Sequence, residues 1–153
     1  VPPRRRHNGF EARLSEIHDA IDPAAGARVA PHLSGDSILI GYPGPAEASA
    51  AARAIHARLR GRMPLRIAGH HGLISCARDP FLGTLRPTEE GAAVVKAIVG
   101  SIPPDTICVS HDFAAILAAA SPAPSGASWI GELDAFDGGS AIGLYSLRPG
   151  SPS

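Results

Sequence analysis

The chain has 153 residues and a mass of 15.7 kDa, which is one domain's worth of polypeptide with enough volume for a core. Apolar residues make up 44%, charged residues 18%, and fourteen Lys and Arg balance fourteen Asp and Glu, so the formal net charge is zero. That balance argues against both a disordered chain and a general polyanion binder, and no nucleic acid is expected as a partner.

No apolar run approaches the roughly 18 residues of a membrane helix. Val1 to Arg6 has no apolar stretch behind it, so no secretory leader is expected and the location expected is cytoplasmic. The chain opens on Val rather than Met, as a piece of a longer protein would. Cys76 and Cys108 are too few for a disulfide scaffold, lack metal-ligand spacing, and read as reduced core thiols.

Residues 1–9 carry two prolines and Arg4, Arg5 and Arg6, and read as an exposed arm. The arginines are either a solvated terminus or a contact for an acidic partner. Phe10, Leu14, Ile17 and Ile21 recur at helical spacing, and Asp22-Pro23 ends that helix. Ala27 to Leu33 and Ser37 to Tyr42 flank a Ser34-Gly35-Asp36 turn and predict a β-hairpin. Its second arm is apolar enough to be covered on both faces, and Pro31 moves the first arm toward an edge.

Pro45 opens a helix whose apolar face is Ala48, Ala51, Ala52, Ile55 and Leu59, and Gly61 stops it. Pro64 to Cys76 reads as one long strand bent at its glycines, and Ala77 to Pro87 as a polar loop. Thr88-Glu89-Glu90 begins a helix by placing a hydroxyl and two carboxylates at its positive end. Val94, Val95, Ile98 and Val99 give its buried side. Thr106 to Val109 is a short buried strand, and Ser110 caps a helix through Phe113, Ile116 and Leu117. Ser128 to Leu133 and Ala141 to Leu147 close the chain as an antiparallel hairpin. The order predicts an α/β sandwich on a mixed sheet.

These fragments together resemble a class III nucleotidyl cyclase homology domain. Ser34-Gly35-Asp36 resembles the Gly-Asp turn of that family's β2–β3 hairpin, and Pro45 to Leu59 the Ala-rich helix after it. Leu65-Arg66-Ile67-Ala68-Gly69-His70-His71-Gly72 is similar to its Arg-Ile-Gly-Ile-His-x-Gly strand. Pro103 to Ser110 is similar to its Pro-Gly-x-Ile-x-Val-Ser segment. Gly131-Glu132-Leu133 and Gly143 to Leu147 resemble its closing hairpin. Asp79-Pro80 and Phe113-Ala114-Ala115 resemble one bacterial subgroup. The resemblance implies a ferredoxin-like fold, a mixed and mainly antiparallel sheet with helices packed on it. It divides the chain into an arm at 1–9, a cyclase-homology domain at 10–148 and a tail at 149–153.

The resemblance also implies a reaction, in-line attack of a 3′-oxygen on the α-phosphorus of a nucleoside triphosphate, assisted by two metal ions. The family holds those metals with two aspartates. Asp36 matches the second, although Asp beside Gly is also an ordinary turn former. The first belongs to a strand before the Phe10 helix, and nothing in residues 1–9 serves. The family's Val-Asn-x-Ala-x-Arg helix falls on Ala92 to Ala97. Ala93 then stands at the ribose-positioning Asn and Ala97 at the transition-state Arg. Lys96 is one residue off, which turns it about 100° around the helix. His32 occupies the place of the Lys that adenine-selective members carry.

His32 and Lys96 are therefore the candidate substrate contacts, Asp36 the candidate metal ligand, and no confident catalytic residue emerges. No cofactor is expected, with Mg²⁺ or Mn²⁺ relevant only to a residual nucleotide site. A zinc site using His70 or His71 with His32 or His56 has little support, because adjacent strand residues face opposite sides. The expectation is a catalytically degenerate domain that regulates or dimerises within a bacterial signalling protein. It pairs with itself or with another cyclase-like domain and has no membrane span. The alternative is an active cyclase, or one completed by a heterodimer partner, whose first strand lies outside this chain. The missing strand belongs between Ile38–Tyr42 and Leu65–His71, so those two segments are expected not to pair directly.

Overall fold

A computed structural model describes residues 12–13, 15–21, 29–34, 37–72, 76–78, 80–81, 83, 85–120, 127–134 and 141–147. A first helix, α1, covers residues 12–20, with Leu14 outside the description. Then follow β1 (Val29–Ser34), β2 (Ser37–Gly41), α2 (Pro45–Leu59), β3 (Arg66–Gly69), β4 (Cys76–Arg78) and β5 (Leu85–Pro87). The chain continues through α3 (Glu89–Ser101), β6 (Thr106–Ser110), α4 (His111–Ala120), β7 (Ala127–Leu133) and β8 (Ile142–Leu147).

The main sheet has four strands in the order β3-β6-β8-β7. β3 runs parallel to β6, while β6–β8 and β7–β8 are antiparallel. This is the mixed, mainly antiparallel sheet the sequence predicts. Its two faces follow from the period of two along each strand. Ile107, Val109 and Leu147, with Ile67 and Tyr145 packed on them, meet Phe113, Ala114 and Leu117 of α4 and Ala48 and Ala52 of α2. Cys108 and Leu144, with Ala68 and Ile142 beside them, meet Ile98 and Ile102 at the end of α3. A third cluster joins Ala20, Ile17 and Ile21 of the α1 region to Ile55, Leu59, Met63 and Leu65.

The turns between these layers are tied by polar contacts. Asp105 takes a left-handed φ of 63°, which Asp tolerates better than most residues, and its N–H donates to Leu65 O at 2.7 Å. Buried His56 of α2 donates Nε2–H to Asp105 O at 3.3 Å. Arg66 of β3 donates to Ile102 O at 2.7 Å, placing a cation at the carbonyl end of α3, whose last turn has no basic residue of its own.

The hairpin β1–β2 forms as predicted and is a separate two-stranded sheet. Its register shifts between Val29 and His32, the stretch holding Pro31, which donates no ladder hydrogen bond. β2 is half-buried along its whole length, not covered on both faces as its apolar run implied. Among the described residues β2 pairs with β1 alone and β3 with β6 alone, so the two do not pair directly, and the strand expected between them is not among the described strands.

Three further expectations need correction. The long strand over Pro64–Cys76 is only β3, ending at Gly69, and Cys76 begins a different strand. Gly69 sits so close to the neighbouring layer that a Cβ there would lie 2.9 Å from the Phe113 ring and 3.2 Å from Val109 Cγ1. Gly72 follows soon after, and two glycines without cross-strand side chains end the pairing. The loop over Ala77–Pro87 is not all loop, since β4 and β5 pair antiparallel from Cys76↔Pro87 to Arg78↔Leu85. β4 is exposed throughout, so Cys76 is a surface thiol, whereas Cys108 is buried as expected.

Candidate functional site

The helix that should carry the reacting groups is α3. It starts at Glu89, at the predicted Thr88-Glu89-Glu90 entry, and Thr88 O accepts the Ala92 N–H at 2.9 Å as the first bond of the helix. Ala92 and Ile98 are buried against the rest of the domain. Ala93 and Ala97 are four residues apart, which puts them on one face a single turn apart, and both are half-buried. Neither methyl group donates a hydrogen bond or carries charge. Lys96 lies on the exposed side of the same helix.

His32 lies in β1 opposite Leu39, and its side chain is outside the described residues, as is Asp36. Ser34 pairs with Ser37 on either side of the Gly35-Asp36 step. β5 touches both β1 and α3, so the strand of His32 and the helix of Ala93, Lys96 and Ala97 flank the same short hairpin.

Among the described residues no group of three or more His, Cys, Asp or Glu side chains is placed to hold a metal ion. His56 is engaged with Asp105, and His70 with Ser110, at different ends of the sheet.

Sequence reasoning passed over one arrangement. His70 is not a strand residue facing away from His71, because it lies just past β3 and its Nδ1 is 2.8 Å from Ser110 Oγ. Ser110 is 1% exposed and accepts the Phe113 N–H at 3.3 Å, the cap that the sequence assigned to it. Burial pushes the His70 imidazole below its ordinary value; Asp112 pulls in the other direction and His71 adds to the lowering. The partners are separated by forty residues of chain, so no local spacing announces the contact. Burial also pushes the Cys108 thiol up, consistent with an inert core position.

No known family's sequence profile matches this chain. No curated protein matches it in sequence. Its fold is similar to a structure from a study of adenylate cyclases from Trypanosoma brucei in their monomeric state, with a TM-score of 0.73. The match covers 96% of this chain and 80% of that one at 12% sequence identity.

Proposed function

We propose that this chain, which has the adenylate cyclase fold, is a catalytically degenerate class III cyclase-homology domain. In this reading it acts as a regulatory or dimerisation module of a bacterial signalling protein, and it does not cyclise nucleotides by itself. The observation that carries the reading is the face of α3 at Ala93 and Ala97. The cyclase resemblance puts a ribose-positioning Asn and a transition-state Arg there. Two methyl groups neither orient a sugar nor offset charge on a reacting phosphate, and losing one such donor alone costs about 3–4 kcal/mol of barrier. Lys96 does not substitute, because it lies about 100° away around the helix.

A second reading has its own support in the β1–β2 hairpin, which forms with the Gly35-Asp36 step between its arms. A turn of that kind is where a metal-binding subunit would keep its carboxylate. In this reading the chain is the metal-bearing half of a heterodimer whose partner supplies the Asn and Arg, with ATP or GTP as substrate and Mg²⁺ or Mn²⁺ as the ion.

Self-association tests the module. Sedimentation at tens of micromolar, a concentration that detects even weak pairing, is expected to show a dimer. A monomer throughout that range contradicts the dimerisation role. The second reading predicts instead that the chain stays monomeric alone and yields cyclic product only when mixed with a partner domain.

A further inference from the structure

His70 and Ser110 carry the contact between β3 and β6 one step past their parallel ladder, which ends at Gly69↔Val109, and on to the first turn of α4. His70 follows the last residue of β3, and Ser110 is the last residue of β6 and the cap of α4. Ser110 Oγ already accepts the Phe113 N–H. Its own hydroxyl hydrogen is then available to His70 Nδ1 at 2.8 Å. Nδ1 accepts that hydrogen only in the neutral ring with its proton on Nε2. In that state the hydrogen bonds run in one direction, from Phe113 N–H to Ser110 Oγ and from Ser110 O–H to His70 Nδ1, and each polarises the next.

A proton on Nδ1 breaks this order. The ring now donates, so two N–H groups converge on one oxygen. The Ser110 hydrogen must turn toward a surround from which water is excluded, since the residue is 1% exposed. We propose that His70 and Ser110 form a proton-sensitive latch between the end of β3 and the first turn of α4, closed while His70 is neutral and opened when it is protonated.

The groups around the ring set the direction of the switch. From α4, Asp112 favours the charged ring; from the segment after β3, His71 opposes it. β6, Thr106–Ser110, brings no charged side chain. Burial outweighs Asp112, so the imidazole stays below its ordinary value and the latch is closed at neutral pH. In the unfolded chain the same imidazole takes up its proton near pH 6.5, a typical value for His. The stabilisation from the latch is therefore complete above about pH 6.5 and is lost as pH falls through the lower folded value. α4 supplies Phe113, Ala114 and Leu117 to the main core, so opening the latch loosens the first turn of a helix that these three side chains hold to the sheet.

The test is a titration of the labelled full chain by NMR from about pH 8 to pH 5, a range spanning the ordinary His value. The His70 ring and the Phe113 amide are expected to share one midpoint below about 6.5. Ser110→Ala is expected to move the His70 midpoint up toward the ordinary value, because the neutral ring loses its donor. His70→Gln is expected to abolish the pH response of the Phe113 amide. A His70 midpoint at or above the ordinary value, or a Phe113 amide that ignores the His70 titration, overturns the latch. Both of those outcomes are read on the unsubstituted protein, so a variant that fails to fold does not remove the test.

Discussion

β6 and β2 are both five-residue strands rich in apolar side chains, and they end in opposite conditions. β6 is paired on both sides, by β3 and β8, and Ile107 to Ser110 are all buried. β2 is paired only with β1 among the described residues and is half-buried throughout. An apolar run is enough to make a strand, but neighbours on both edges and both faces decide whether it becomes core. The difference also divides the molecule by role. The region around β6 contains the packed core, the cap of α4 and the His70 contact. The region around β2 leads into the Gly35-Asp36 step, where the cyclase resemblance places its remaining metal ligand.

Substitutions on the two sides of this divide should differ in size and even in sign. The largest effect is expected at Phe113, whose ring packs over Gly69 and Val109 in the main cluster. Phe113→Ala should cost about 3–5 kcal/mol, measured as a fall in urea midpoint at unchanged slope. A loss below about 1 kcal/mol would mean that the β6 side is not the stabilising half.

Gly69→Ala should cost about 1–3 kcal/mol, because its new Cβ meets the Phe113 ring at 2.9 Å. Pairing it with Phe113→Leu sharpens the point. If the close approach is the cause, the two losses combine to less than their sum.

On the other side, Ile38→Ala in half-buried β2 should cost only about 1 kcal/mol, roughly half of what full burial of the side chain contributes. A cost equal to that of Phe113→Ala would erase the comparison. The smallest effect is expected at Gly100 in α3, where a Cβ meets nothing within 4 Å. Gly100→Ala should stabilise by up to about 1 kcal/mol through helix propensity, seen as a small rise in thermal midpoint.

The parts legible in the sequence are those with local causes. α2 is announced by Pro45 at its first turn and by Ala51, Ile55 and Leu59 along one face, and these residues are buried in it. Ser110 is legible as a cap because its place directly before a helical apolar pattern has one chemical use. β7 and β8 are legible through alternation, but Trp129 and Ile130 are both exposed, beside the register shift between Trp129 and Gly131. The hairpin β4–β5 is not legible. Each strand has three residues, and β4 is exposed, so no alternation marks it. The end of β3 is hidden for a different reason. Leu65 to Cys76 carries no break signal before its glycines, and only the pairing with β6, whose last step is Gly69↔Val109, shows where the strand stops. The same distance in sequence hides the His70–Ser110 contact. At the candidate site, Ala93 and Ala97 carry no signal of their own; their meaning comes from the side chains that the resemblance leads one to expect there.

The central proposal is that a chain with Ala93 and Ala97 where the cyclase resemblance places an Asn and an Arg does not cyclise nucleotides by itself. Turnover of the purified chain with ATP or GTP, in Mg²⁺ and in Mn²⁺, tests it most directly. The account predicts no cyclic nucleotide above the level given by Asp36→Ala, since each missing group removes several kcal/mol of barrier stabilisation and about 1.4 kcal/mol is tenfold in rate. Cyclic AMP or cyclic GMP formed by the unsubstituted chain and lost in Asp36→Ala would contradict it.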